Sequence, residues 1–561
     1  MLNPEANYDI PDETQRVARA AFPNGNPYMR LRDQLGHLYE DEAFAPLFSS
    51  TGQPALAPWR LAWVTVLQFA EGLTDRQAAD AVRARIDWKY VLGLPLEDAG
   101  FNYSVLSEFR VRLASRGSEA ILLERVLERA RERQWLKAGG RQRTDSTHVL
   151  AAIHQLNRLE LVGQTLQHAL NAVARQAPEW LQRVAPVVWW DRYAKKLDDY
   201  RLPKKESERR ALAEVIGQDG WHLLALVNHP EAPPDLARLE ALAMLEQVWG
   251  EQYHIDDDEG GPRWRDNAAL PPSAERIASP HDPDARYSVK RDIEWQGYKA
   301  HLTETCEPDA PHLIVHVETT VATTQDVDAL DAIHRGLDRQ CILPDDHLVD
   351  SGYVSADQIV RSQQTYAINL IGPVRPDVSW QAQHPDAYDV TRFQIDWDTQ
   401  QATCPQGKIS SYWKPQTGVR HNPVIEVNFR GKDCRPCPAR ALCTRSKNGP
   451  RVLTLMPRDQ FEALQAARAR QQTDTFKAQY QTRAGVEGTI GQAVNPYAMR
   501  RARYRGLAKT RLQHVATATA INLQRLWAWL TDTPVAPTRV SAFASLAPLL
   551  RQQRQISYTL A

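Results

Sequence analysis

Cysteine is scarce in this chain: six residues in 561, with four of them crowded between positions 404 and 443. A secreted disulfide scaffold spreads a higher cysteine fraction over a short chain, so that class is excluded. No run of 18 or more apolar residues occurs, so no membrane span is expected. The opening MLNPEANYDIPDETQ is acidic and polar and lacks the apolar stretch of a secretory signal. Net charge is missing too, with 68 Lys plus Arg against 68 Asp plus Glu. A DNA-contacting surface must therefore come from local concentration of charge rather than from overall excess. A cytoplasmic location is the expectation. What is present is apolar material for real cores: 43% hydrophobic residues, with 16 Trp, 18 Tyr and 11 Phe. The length predicts about two to four domains or large insertions.

Residues 1–135 read as a helical domain. WRLAWVTVLQF leads through Gly72-Leu73-Thr74 into DRQAADAVRARIDWKYVLG, two helices around a tight turn with Thr74 as N-cap. Such a pair can hold a DNA-reading helix, and plain helical packing gives the same pattern. After Gly139-Gly140, RQRTDSTHVLAA alternates as a short strand. Residues 136–390 read as an α/β core interrupted by a largely helical insertion near 155–257, with a basic patch at Arg192, Lys195, Lys196, Arg201, Lys204 and Lys205. Acidic interleaving at Asp198, Asp199, Glu206 and Glu208 favours a solvated helix there. ARYSVKRDIEWQGYKAHLTETC is expected to be a hairpin turning at Gln296-Gly297, and HLIVHVETT a strand. Residues 391–455 are β and loop and carry the cysteines, 456–531 are helical with a break at Pro496, and 532–561 form a tail.

Three carboxylates stand out by placement. Asp145 lies inside the strand RTDSTHV, where an acid is unfavourable unless something partners it; a Mg²⁺ ion is one such partner, an exposed strand face another explanation. Asp350 ends HLVD just before a helix, the strand-end position at which α/β sheets form their sites, and it also reads as a helix cap. Asp345 and Asp346 are expected in a turn. Glu487 shares a helical face with Tyr480 and Arg483, which are expected to contact DNA, Arg483 at a non-bridging phosphate oxygen; Arg483 also reads as a surface pair for Glu487. Gly485 and Gly488 flank the Glu, which suits close approach by another group. From Arg483 to Ala520 there are seven basic residues and one acid, Glu487. Three acids on separate elements can hold two metal ions for in-line phosphoryl transfer.

These residues resemble the DDE transposases of bacterial insertion sequences, in the IS4/IS5-like superfamily and most like the IS1182 type. The resemblance runs through WRLAWVTVLQFAEGLTDRQAADAVRARIDWKYVLGL, SVLSEFRVRL, RTDSTHV, HLVDSGYVSADQI and Tyr480-x2-Arg483-x3-Glu487, over roughly residues 55–530. It implies a ribonuclease-H-like α/β core preceded by the helical domain, with Asp145, Asp350 and Glu487 as Mg²⁺ ligands (Mn²⁺ as substitute). It further implies double-stranded DNA as partner, with terminal inverted repeats and target DNA, synapsis by a homo-oligomer and a nucleoid-associated location. A basic residue that often closes the family's signature seven positions after the Glu is Val494 here, so Arg500, Arg501 or Lys509 is expected to meet phosphate. Two other readings stay open: a metal-dependent endonuclease without strand transfer, and a catalytically inactive DNA-binding descendant.

Cys404, Cys434, Cys437 and Cys443 form C-x29-C-x2-C-x5-C, which suits a structural Zn²⁺ or four reduced thiols. Lys432, Arg435, Arg440, Arg445 and Lys447 surround them as a basic patch suited to DNA. His148 and His301 read as structural, since metal-bound water needs no histidine base.

Overall fold

The computed structural model describes residues 1–533 apart from 3, 5–7, 196, 198–201, 257–260, 291 and 420. Most of the expected tail, and Lys196, Asp198, Asp199 and Arg201 of the insertion's charged patch, thus lie outside the described residues.

The N-terminal helices are α1 (Asp12–Ala21), α2 (Pro27–Leu35), α3 (Pro58–Glu71), α4 (Asp75–Ala84), α5 (Ile86–Leu92), α6 (Ser104–Arg116) and α7 (Ile121–Glu132). Local chemistry sets their ends. Pro58 opens α3, where its missing N–H is no loss, and Gly72 closes it at φ +69°. Thr74 then caps α4 in a reciprocal capping box with Gln77.

Strand β1 (Arg141–Leu150) follows, then an inserted helical unit: α8 (Arg158–Gln176), α9 (Pro178–Val184), α10 (Val188–Tyr193), α11 (Glu206–Val227), α12 (Glu240–Gln252) and the ribbon β2 (Tyr253–Asp256) with β3 (Gly261–Trp264). This unit has its own core around Trp180, Trp189, Leu223, Leu245 and Trp249. The chain returns through β4 (Arg286–Lys290), β5 (Ile293–Thr305), β6 (Ile314–Val321), α13 (Asp326–Arg339), β7 (Asp346–Leu348), α14 (Ala356–Tyr366) and β8 (Asn369–Ile371). The sheet runs β6-β5-β1-β7-β8, with β4 pairing the first part of β5. β6, β5 and β1 are antiparallel neighbours, while β7 and β8 run parallel to β1. A mixed sheet flanked by helices is what a ribonuclease-H-like core requires.

The expected turn at Gln296-Gly297 is not there. The hairpin reverses between Lys290 and Ile293, and Gln296-Gly297 lies inside β5. Gly297 is needed for a different reason: at φ +151° a Cβ would stand 2.2 Å from the carbonyl oxygen of Val149. Asp346, expected in a turn, opens β7 and binds Asn369 and Gln479.

Beyond β8 come α15 (Trp380–Gln383), the ribbon β9 (Gln394–Asp396) with β10 (Gln401–Thr403), and the three-stranded sheet of β11 (Tyr412–Thr417), β12 (Pro423–Asn428) and β13 (Val452–Leu455). Short helices α16 (Gly431–Cys434) and α17 (Arg440–Cys443) lie between β12 and β13. The helices α18 (Arg458–Gln471), α19 (Asp474–Gln481), α20 (Gly485–Val494) and α21 (Leu507–Leu530) complete the fold. Helix α21 is apolar on most sides and packs on β6, α3, α6 and α7. One apolar core therefore runs from the N-terminal helices through the sheet to α21.

Candidate metal and DNA site

The parallel register of β1 with β7 pairs Arg141 with Asp346 and Arg143 with Leu348. Strand β7 ends at Leu348, and Asp350 follows two residues later, close enough to Asp145 for its charge to act on it. Asp145 is mostly buried, its side chain 16% exposed, and takes the N–H of Ser146 on Oδ1 at 2.7 Å. Asp350 takes the N–H of Gly352 on Oδ1, also at 2.7 Å. Burial pushes the Asp145 carboxyl above its ordinary range; Arg483 pulls against this, and the charge of Asp350 adds to it.

The C-terminal helical segment docks on β1 through alternate residues, which share one face of the strand. Arg143 donates to the carbonyl of Thr482 at 2.6 Å, Asp145 accepts from Arg483 at 2.7 Å, and Thr147 accepts from Arg500 Nε at 2.9 Å. Arg483 sits in a 3-10 turn (Thr482–Ala484) between α19 and α20. Its other terminal nitrogen stands 3.8 Å from Glu487, whose side chain is 70% exposed. Gly485 meets the close approach its sequence position suggests, because a Cβ there would stand 2.1 Å from the Arg143 guanidinium; around Gly488 the space is open. Tyr480 stacks on Phe476 with ring centroids 5.6 Å apart, and burial raises its hydroxyl pKa.

Of Arg500, Arg501 and Lys509, only Arg500 has a described side-chain bond to the strand of Asp145. Arg501 is exposed on the segment that bridges to Leu150, and Lys509 is exposed on α21. Asp145 and Asp350 are thus brought together, Arg483 joins Asp145 to Glu487, and Glu487 stays outward. Among the described residues, no group of three or more His, Cys, Asp or Glu side chains is arranged to hold a metal ion.

Several members of this site escape a reading of the sequence. Asp326, first residue of α13, pairs with Lys299 at 3.2 Å and Lys290 at 3.8 Å and accepts from Ser146 Oγ at 3.3 Å. A Cβ on Gly352 would meet Asp350 Oδ1 at 2.9 Å and Asp326 Oδ2 at 3.2 Å, so a larger residue there would push the two acids aside. Behind them, the buried Tyr353 hydroxyl bonds His301 Nδ1 at 2.6 Å. Burial pushes His301 down to about 4, which suits the structural role expected of it. Glu304, fully buried, binds Arg143, Thr489 and Arg525 at 2.6–2.7 Å and so fastens α20 and α21 to β1. Its sequence signal is weak, because β5 also carries Glu294 and polar neighbours at Thr303 and Thr305.

The four cysteines, from separate elements, line one cavity with Tyr388, Phe429 and Arg451. Lys408 N–H points at Cys404 Sγ at 3.4 Å. Burial pushes the Cys443 thiol up to about 11, and the other three cysteines add to this.

Two segments of the chain match known families: residues 16–112 match one described as "Transposase domain (DUF772)", and residues 403–527 match "Transposase DDE domain". Both family descriptions name transposase domains. The first covers helices α1 to α6, and the second runs from the cysteine region through Glu487 into α21. Asp145 and Asp350 lie outside both matched segments, so their roles rest on geometry. The finer likeness to the IS1182 type is not resolved by these matches. No curated protein and no solved structure matches the chain. No described helix is long and apolar enough to cross a membrane.

Proposed function

We propose that this chain is a DDE transposase that cuts DNA at the ends of an insertion sequence and joins the 3′-hydroxyl to target DNA. The observation that carries the proposal is Asp145 within β1 beside Asp350 just past the end of the adjoining β7, with Arg483 docked on Asp145 and reaching Glu487. The donor set is hard oxygen throughout, as Mg²⁺ requires, with Mn²⁺ as a substitute. Asp145, Asp350 and Glu487 would hold the ions, which when bound supply an activated nucleophile and charge neutralisation at the leaving oxygen.

The chain's own residues do the rest. Asp145 is held in orientation by the Ser146 N–H and Asp350 by the Gly352 N–H. Arg483, Arg500, Lys290 and Lys299 ring the acids, and those with exposed guanidinium or ammonium groups are placed to take phosphate oxygens. Arg500 takes the part expected of the group missing at Val494. The matched N-terminal helices are assigned to binding the element's inverted repeats, and a homo-oligomer to bringing two ends together. A structural Zn²⁺ on Cys404, Cys434, Cys437 and Cys443 is the second part of the proposal. It is supported by their shared cavity and by an apolar core of only six fully buried residues beside it, Phe393, Ala402, Val427, Phe429, Leu453 and Leu455.

The test is an assay of the purified chain with a labelled duplex carrying the element's end, a target plasmid and Mg²⁺. Cleavage with joining supports the transposase; cleavage without joining identifies a nuclease; binding without either identifies an inactive descendant.

A further inference from the structure

The three acids do not close into a metal-holding group, and Arg483 stands where they would close. Its side chain is only 12% exposed, and the guanidinium lies between Asp145, at 2.7 Å, and Glu487, at 3.8 Å. Its Nε is buried without a hydrogen-bond partner. The surrounding backbone is fixed. Glu304 and Arg525 tie Thr489 and Gln492 of α20 to the sheet, and Gly485 packs against Arg143 with no room for a Cβ. Closing Glu487 towards Asp145 is therefore a matter of side chains, chiefly of moving one guanidinium.

We infer that Arg483 is an internal counterion, a lock that competes with the divalent ion for Asp145 and Glu487 until a DNA phosphate draws it away. The inference rests on the reading of those acids as metal ligands. A cation already held between two carboxylates must be displaced before a second one enters, so metal affinity is low while the pair is intact. A phosphodiester oxyanion offers the guanidinium a competing bidentate partner and frees Asp145. By linkage, phosphate and metal then favour each other's binding, which delays metal loading until DNA is in place.

The test is Mn²⁺ titration of the DNA-free chain, followed by the electron paramagnetic resonance signal of the free ion. Arg483→Gln is expected to bind Mn²⁺ on the order of tenfold more tightly than the parent, within the usual range of coupling between sites. The gain should vanish in the double variant Arg483→Gln with Asp145→Asn. An affinity equal to or below the parent's overturns the lock. Should Arg483→Gln melt early, Arg483→Lys serves instead: a single point charge cannot span both acids, so a several-fold gain is expected and none overturns the inference. A double variant that keeps the tighter Mn²⁺ binding of Arg483→Gln overturns the reading of Asp145 as a metal ligand, which separates the two failures.

Discussion

Replacing Glu304 by Gln keeps the shape of a buried side chain and removes its charge. In the parent, Glu304 is fully buried and holds Arg143 Nε and Arg525 at 2.7 Å each and Thr489 Oγ1 at 2.6 Å, with the two arginine side chains only 8% and 16% exposed. The variant leaves two nearly buried guanidinium groups facing a neutral amide. Breaking a buried ion pair by removing one partner costs about 3–5 kcal/mol, a large part of the ~5–15 kcal/mol that holds a domain together. Arg525→Met leaves Arg143 paired with Glu304 and should cost less, about 1–3 kcal/mol for the hydrogen bonds lost. Because Glu304 joins β1, α20 and α21, the loss should show first at α20. Guanidinium unfolding gives the magnitude, and hydrogen exchange of the α20 amides gives the location. The reasoning is refuted if Glu304→Gln unfolds within about 1 kcal/mol of the parent and α20 keeps its protection.

Acid sensitivity follows from three buried histidines. Burial pushes His301 and His334 down to about 4 and His514 down to about 3. The unfolded chain takes up protons near pH 6.5 that the folded chain refuses, so this stability is complete above that pH and drains as pH falls towards 4. Each histidine contributes a slope of at most about 1.4 kcal/mol per pH unit. The denaturant midpoint should fall between pH 7 and 5, with a shallower fall in His514→Gln; equal slopes would contradict the assignment. The cysteine cavity predicts one zinc per chain by elemental analysis, lost together with thermal stability in Cys434→Ser/Cys437→Ser, and a metal-free preparation of unchanged stability would remove zinc from the account.

Much of the site was legible in the sequence because its parts follow local rules. Alternation placed Asp145 inside a strand, an apolar run placed Asp350 just past another, and helical spacing put Arg483 beside Glu487. What was not legible depends on contacts between distant segments. Asp326 reads as a helix start like any other until β1, β5 and the turn at Gly352 are folded around it. Gly297 reads as a turn residue, as glycine beside a polar residue in a β segment often does, whereas its role is to let the β1 backbone pass close. Glu304 binds residues 161, 185 and 221 positions away in sequence, separations no local pattern records.

The central claim is that Asp145 takes part in phosphoryl transfer on DNA. The most direct measurement is joining of a pre-cleaved 3′-hydroxyl end to target DNA by Asp145→Asn in the presence of Mg²⁺, with DNA binding followed in parallel. A loss of at least about 10²–10³-fold in joining, comparable to removal of a group that stabilises developing charge, with binding retained, is the predicted result. Full joining activity in that variant would contradict the account.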